Sequence, residues 1–169
     1  MKPKRSSKDA YYLGIAKEVA KRSTCFRRSI GAIIVRDDQI ISTGYVGAPR
    51  KTKDSLEHGF CLRDKLNIPH GQRYELCRSV HAEQNAIINA ARAGVSLLGG
   101  DMYIYGSSAG KDEPITAFPC FICKKMIINA GLNRVVCSTK DGKSGVYHVS
   151  EWIRTWQEAD ITDDEQQYG

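Results

Sequence analysis

Apolar residues recur at helical spacing near the start of the chain, and two short apolar runs follow. Residues 7 to 22 carry an apolar stripe along one predicted helical face, with Ser7 as the N-terminal cap, formed by Ala10, Leu13, Ile15, Ala16, Val19 and Ala20. Residues 30 to 35 and 40 to 45 are almost continuously apolar and are separated by the charged turn RDDQ. This pattern predicts a helix followed by a hairpin of two antiparallel strands.

The next segment, residues 47 to 79, is polar and irregular and contains Gly, Pro and many charges. Irregular segments of this length inside a compact domain are usually functional, so we interpret it as a functional or partner-binding insertion. A short helix is predicted within it, around residues 58 to 66. After the insertion, residues 82 to 94 have a helical pattern that ends at Gly94.

The second half of the chain alternates between strand and helix patterns. Strands are predicted at residues 101 to 106 and 134 to 139, and the helix between them begins at Pro119 and ends at Gly131. A last helix is predicted at residues 147 to 160. This order predicts an α/β protein with a mixed sheet covered on both faces by helices. We expect one domain over residues 1 to 169, with 47 to 79 as an insertion.

The composition is that of a globular protein, because 41% of the 169 residues are hydrophobic and 26% are charged. No run approaches the roughly 18 to 20 apolar residues needed to span a bilayer, and the basic first residues precede no apolar segment. We therefore expect a cytoplasmic protein without a membrane partner. Its six cysteines are then expected to be thiols or metal ligands. The net charge of +6 indicates an anionic partner, either a nucleotide phosphate or a nucleic acid.

Two predicted helix starts carry residues that bind metals or move protons, namely HAE at 81 to 83 and PCFIC at 119 to 123. Cys120 and Cys123 share a helix face, where the positive end of the helix dipole favours thiolates. With His81 they supply three ligands for zinc and leave a fourth position open to water, which is the arrangement of a catalytic site.

Glu83, two residues beyond His81, is then predicted to lie beside the open position as a catalytic proton shuttle. Each motif alone has other interpretations, since CxxC also occurs in redox pairs and in structural zinc sites. In this order, with Pro119 directly before the first cysteine, the two motifs match the zinc nucleobase deaminase signature, H-x-E followed by P-C-x-x-C.

Four segments appear in the order that is found in the cytidine deaminase superfamily, namely SIGAIIV, IISTGYVGAP, HAEQNAI and PCFICKKMIINAG. The TGYVGAP turn and the cysteine-bearing insertion before HAE make the chain most similar to the deoxycytidylate (dCMP) deaminases. The resemblance runs from about residue 10 to residue 139. It implies a three-layer α/β/α fold with a mixed five-stranded sheet. It also implies a hydrolase that converts dCMP to dUMP and ammonia in pyrimidine nucleotide biosynthesis.

The resemblance further implies that His81, Cys120 and Cys123 hold Zn²⁺. Glu83 would move the protons. Asn85 would support the pocket, and the backbone near Ala82 would recognise the base. In relatives the turn reads GYNG, and its Asn helps to hold the sugar. Here Val46 takes that position and cannot make the hydrogen bond, so the sugar of the substrate is left open. The family also implies a homo-oligomer, often a hexamer, with dCTP and dTTP as effectors and Mg²⁺ accompanying the triphosphate.

The remaining cysteines lead to a second metal hypothesis. Some relatives hold a structural zinc with residues from comparable regions, and the matching residues here are Cys25, Cys61 and Cys77, with His58 or His70 as a fourth ligand. Isolated thiols are the alternative. Cys137, in the middle of an apolar strand, is expected in the core.

The substrate phosphate requires cations or free amides at a helix start. Arg28 precedes the first strand, and Tyr74, Arg78 and Phe118 border the two motifs, so we assign these four residues to the walls of the pocket and to the phosphate.

Three functions remain open from the sequence. The first is a deaminase of dCMP or of another pyrimidine nucleotide, such as CMP or a 5-substituted dCMP. The second is a nucleic-acid deaminase resembling the tRNA adenosine enzymes, which the aromatic content of 8% does not favour. The third is a non-catalytic nucleotide sensor, and Glu83 argues against it because a binding protein needs no proton shuttle.

Overall fold

The computed structural model of the chain describes residues 5–69 and 71–159. Six α-helices, five strands and a 3₁₀ turn at Tyr74–Leu76 form that part of the chain. In chain order the helices and strands are α1 Lys8–Ala20, β1 Arg28–Arg36, β2 Gln39–Tyr45, α2 Ser55–His58, α3 Leu62–Lys65, α4 Ala82–Ala93, β3 Asp101–Ser108, α5 Phe121–Asn129, β4 Arg134–Ser138, β5 Ser144–His148 and α6 Val149–Glu158.

The strands form one five-stranded sheet in the order β2-β1-β3-β4-β5. The pair β3 and β4 is parallel, and the other three pairs are antiparallel. Apolar residues of α1 pack on one face of the sheet, and those of α4, α5 and α6 pack on the other. The predicted α/β class and mixed five-stranded sheet are therefore confirmed. Among the described helices, none is long and apolar enough to cross a membrane.

The helix ends follow from local sequence. Ser7 caps α1 by accepting a hydrogen bond from the amide of Ala10 at 3.2 Å, and Gly94 ends α4 in the left-handed conformation with φ 67°. Both assignments agree with the sequence analysis. Within α1, Tyr12 is buried against the sheet, with its hydroxyl donating to Asp38 at 2.9 Å, whereas Ala10, which was placed on the apolar stripe, is exposed.

The fifth strand corrects one prediction from the sequence. The last helix was expected from residue 147, but residues 144 to 148 form β5 and the helix begins at Val149. Exposed and half-buried residues alternate along β5, and Tyr147 pairs with Val135 of β4. This alternation has the two-residue period of a strand.

Two four-residue helices replace the single helix predicted around residues 58 to 66. The first, α2, is capped by Asp54 and ends at Gly59, whose φ of 74° is readily adopted by glycine. The second, α3, is separated from α2 by three residues, 59 to 61. The insertion is thus built of short helices and turns that lie between β2 and α4.

Two glycines let helices approach the sheet closely on its opposite faces. A Cβ atom on Gly44 of β2 would lie 2.3 Å from the carbonyl oxygen of Ala82, at the start of α4. A Cβ atom on Gly31 of β1 would lie 2.3 Å from the carbonyl oxygen of Ala16 in α1. The absence of a side chain at Gly44 therefore determines how closely the first turn of α4 packs against β2.

Candidate active site

Two helix N-termini meet on the face of the sheet that carries α4, α5 and α6. His81 is the N-cap of α4, and Cys120 is the N-cap of α5. The His81 backbone amide donates to the Gln84 side chain at 3.1 Å, which fixes the turn that presents the imidazole. Cys123 lies in the first turn of α5 and is fully buried. The three side chains predicted from the sequence as metal ligands therefore converge.

The spacing of these side chains fits zinc. The Nδ1 atom of His81 lies 3.5 Å from the Sγ of Cys120 and 3.4 Å from the Sγ of Cys123. In a tetrahedral site with Zn–N near 2.0–2.1 Å and Zn–S near 2.3 Å, a nitrogen and a sulfur ligand lie about 3.6 Å apart. Among the described His, Cys, Asp and Glu residues, this is the one group of three or more with ligand atoms all within 4.8 Å of one another.

Electrostatics prepare one thiolate in this group. The hydrogen bond with Cys123 lowers the pKa of the Cys120 thiol to about 4. The same hydrogen bond, together with burial, raises the pKa of Cys123. Burial on its own would lower the pKa of His81, but the hydrogen bond with Cys120 and the charge of Glu83 outweigh it, so this pKa is raised. The low pKa of Cys120 favours the thiolate, which is the form that binds a metal ion.

Glu83 lies in the first turn of α4 and is 6% exposed. Burial raises the pKa of its carboxyl group, since the charged form loses its hydration. A carboxyl group tuned in this direction exchanges a proton more readily near neutral pH than an exposed glutamate does. Its burial beside the His81 and cysteine group is the environment expected for a general acid and base.

A cavity of about 400 Å³ opens onto this group. Arg28, Val46, Tyr74, Ala82 and Phe118, all assigned to the substrate from the sequence, line it together with His81, Glu83 and Cys120. The Phe118 ring packs edge-on against Tyr147 at 4.6 Å between centroids. The cavity lining thus combines aromatic side chains, such as Phe118 and Tyr147, with arginines.

Two assigned substrate residues lie elsewhere. Asn85 and Arg78 are not among the described residues that line the cavity. The Asn85 side-chain amide donates to the carbonyl oxygen of Tyr45 at 2.8 Å. This hydrogen bond links α4 to the end of β2, so the Asn85 side chain faces the sheet rather than the cavity. Arg78 is half-buried just before α4.

The sequence analysis missed several residues that line the cavity, including Arg63 and Tyr147. Tyr147 was assigned to a helix, so its position on β5 was not anticipated. Arg63 lies among many charged residues of the insertion, where a buried arginine has the same local sequence signal as a solvated one. Only the packing of α3 against the cavity distinguishes it.

The second set of predicted metal ligands does not converge within the described part of the chain. Cys25, Cys61 and Cys77 are half-buried free thiols, and with His58 they form no group of three with ligand atoms within 4.8 Å of one another. Cys25 and Cys77 line the main cavity instead. His70 lies outside the described residues. Cys137 is buried in β4, in agreement with its assignment to the core.

Comparison with known proteins points to one family. Its sequence profile, described as the cytidine and deoxycytidylate deaminase zinc-binding region, matches residues 6–139. The deoxycytidylate deaminase of Schizosaccharomyces pombe is 33% identical over 135 residues, which cover 80% of this chain and 38% of the yeast protein. That of a Mycobacterium phage is 34% identical over 133 residues, which cover 76% of this chain and 91% of the phage protein.

A solved structure shares the fold. The apo form of the dCMP deaminase from a cyanophage superposes with a TM-score of 0.56 at 26% identity, over 82% of this chain and 86% of that chain. The coverage of relatives differs, since this chain spans well under half the length of the S. pombe protein but most of the Mycobacterium phage protein. The region shared with the profile contains both helix starts of the candidate site.

Proposed function

This chain belongs to the cytidine and deoxycytidylate deaminase family, and from that premise we propose that it is a zinc-dependent hydrolase that deaminates dCMP. In this reaction water adds an oxygen to C4 of the cytosine ring, the 4-amino group leaves as ammonia, and dUMP is the product. The observation that carries the proposal is the convergence of His81, Cys120 and Cys123 beside the buried Glu83, at the base of a nucleotide-sized cavity.

The roles of the residues follow from their chemistry. His81, Cys120 and Cys123 would hold Zn²⁺, which would supply a Lewis acid that lowers the pKa of water into the neutral range. The Glu83 carboxylate accepts a proton from the attacking water and donates a proton to the departing nitrogen. Its burial keeps bulk water from competing for that proton.

The cavity walls support a pyrimidine nucleotide. Phe118 offers an aromatic face against which the base packs, and the backbone at Ala82 is available to the edge of the base. Arg28, which also lines the cavity, contributes positive charge for a phosphate. Asn85 acts indirectly, because its hydrogen bond to Tyr45 holds the end of β2 against α4.

Val46 supports a second candidate substrate. Its side chain is 7% exposed and lines the cavity. Its backbone amide donates to the carbonyl oxygen of Ile30 at 3.0 Å and its carbonyl accepts from the amide of Thr24 at 3.0 Å, and its side chain has no polar group to offer a sugar hydroxyl. This apolar position favours a pocket that selects less strictly at the sugar, and the alternative substrates are CMP or a 5-substituted dCMP.

A substrate panel tests the proposal. Cytidine, CMP, dCMP, dCTP and 5-substituted dCMP are incubated with the zinc-loaded protein, and loss of the cytosine absorbance is followed together with ammonia release. We expect turnover of the monophosphates, and Glu83→Ala should abolish it while zinc remains bound. Turnover of cytidine, or of single-stranded DNA or RNA added to the panel, without turnover of any monophosphate would contradict the proposal, and nucleotide binding without any product would favour a sensor.

Further features belong to the proposal through family resemblance. The protein is proposed to form a homo-oligomer, such as a hexamer, and to be regulated by dCTP and dTTP, with Mg²⁺ accompanying the triphosphate. It is further proposed to be cytoplasmic and to form one catalytic domain over residues 1 to 169. A second zinc ion would be held by Cys25, Cys61 and Cys77 with a histidine. Metal analysis distinguishes one from two zinc equivalents. Light scattering with and without dCTP and Mg²⁺ tests the assembly and its effectors.

A further inference from the structure

We propose that Arg63 selects a phosphorylated substrate by donating hydrogen bonds to the 5′-phosphate of the bound pyrimidine nucleotide. This inference rests on the proposed deaminase function and adds a specificity-determining residue to it. Arg63 belongs to α3, in the insertion between β2 and α4, and it lines the same cavity as His81 and Glu83.

The Arg63 side chain is a buried cation that makes no salt bridge within 4.0 Å in the described part of the chain, although its charge lowers the pKa of the nearby Glu75 and Asp64 carboxyl groups. It is 5% exposed. Its Nη2 atom donates to the carbonyl oxygen of Pro69 at 3.2 Å, and its Nε atom has no hydrogen-bond partner among residues 5–69 and 71–159. A buried guanidinium without a direct ion pair, and with an unsatisfied donor, is costly to a folded protein. An anion bound in the cavity would accept from this donor and pair with the charge directly.

Arg27, on the same cavity, shows the contrasting case. It donates to the Asp64 carboxylate through both Nε, at 3.0 Å, and Nη2. Its positive charge is therefore already compensated by a neighbouring residue of α3. Arg63 instead lines the cavity and lies over the face of the Tyr74 ring, and no carboxylate of the described residues binds it directly.

Arg63 lies within reach of the 5′-phosphate of a nucleotide whose base is near the candidate metal ligands. Its guanidinium carbon is 4.7 Å from the centroid of the Tyr74 ring, and that ring meets His81 edge-on at 5.4 Å between centroids. Both contacts share the Tyr74 ring, so the guanidinium lies within about 10 Å of the imidazole. A nucleotide extends over this length scale from its base to its 5′-phosphate. The planar fork of a guanidinium suits phosphate oxygens.

The test compares substrates with and without the phosphate. Wild type, Arg63→Gln and Arg63→Lys are assayed with dCMP and with deoxycytidine, and Arg92→Gln, an exposed arginine of α4, is the matched control. We expect Arg63→Gln to lower kcat/KM for dCMP about 10- to 100-fold, the range for a lost charge-assisted hydrogen bond. The value for deoxycytidine should stay the same. Arg63→Lys should recover part of the loss because it keeps the charge.

Product binding provides a readout that does not depend on turnover. By calorimetry, Arg63→Gln should lose affinity for dUMP by a similar factor and keep that for deoxyuridine, whereas Arg92→Gln should match the wild type with both. Equal losses for the phosphorylated and unphosphorylated compounds, as a misfolded variant would show, or no loss for either, would overturn the role of Arg63. If the wild type deaminates neither substrate, the proposed function fails, and the dUMP comparison alone decides the role of Arg63.

Discussion

Replacing Gly44 by alanine should displace the first turn of α4 and disturb the candidate site without changing any residue that lines it. The added Cβ atom would lie 2.3 Å from the Ala82 carbonyl oxygen and 2.3 Å from the Ala86 amide nitrogen. Both atoms belong to the helix backbone, so no side-chain rotation relieves the overlap. The helix must move away from β2, and it carries His81 and Glu83 with it.

The size of the effect follows from the overlap. An ordinary contact between heavy atoms needs about 3.5 Å, so α4 must shift by about 1 Å. Such overpacking costs about 1–3 kcal/mol. For a chain of this size each kcal/mol lowers the melting temperature by about 2–4 °C, which gives a fall of about 2–12 °C. A displacement of 1 Å at catalytic groups is expected to lower kcat on the order of 100-fold.

Gly31→Ala is the matched control, because its Cβ atom would meet the backbone of α1 at the same 2.3 Å on the opposite face of the sheet. Both variants should lose a similar amount of thermal stability by calorimetry. Only Gly44→Ala should weaken zinc binding, measured by competition with a chromogenic chelator, and lower kcat. If the two variants lose stability equally and Gly44→Ala keeps wild-type zinc affinity and turnover, the reasoning that the depth of α4 controls the site is refuted.

Three further predictions concern single side chains. Cys123→Ala should abolish stoichiometric zinc binding in metal analysis while the buried Cys137→Ala retains it, and equal zinc content in the two variants would contradict the ligand assignment. Val46→Asn should lower KM for dCMP about threefold to tenfold by adding one hydrogen bond to the sugar, and an unchanged KM would count against that contact. Burial and the hydrogen bond to Asp9 raise the pKa of Tyr103 above its ordinary value of 10.0, so the stability that this phenol contributes is complete below pH 10 and is lost as pH rises further. Urea unfolding of wild type and Tyr103→Phe should therefore differ by about 1 kcal/mol at pH 8 and converge above pH 10, whereas a constant difference would contradict the assignment.

Local signals account for what could be predicted from the sequence. Ser7 and Gly94 mark helix ends because capping and the left-handed turn depend on neighbouring residues alone. Cys120 and Cys123 share a helix face through their spacing, and the resemblance to a known signature connected them with His81. The structure places these three side chains together, although Cys120 and Cys123 follow His81 by 39 and 42 positions in the sequence.

Tertiary packing accounts for what could not be predicted. Strand β5 is short and half exposed, and its conformation depends on pairing with β4 rather than on its own apolar content. Arg63 is buried although arginine is usually exposed, because α3 folds over the cavity. Asn85 looked like a pocket residue beside the motif, yet the rotation of α4 turns its amide toward Tyr45.

Substitutions in the insertion between β2 and α4 should have different consequences from substitutions at the two helix starts. Residues of the helix starts are fixed by the sheet and its close-packed helices, whereas Arg63 and Tyr74 reach the cavity from short helices and turns outside the sheet. Substitutions in the insertion can therefore retune which molecule is accepted while the reacting groups keep their places. Specificity can evolve, or be engineered, in this segment without rebuilding the chemistry.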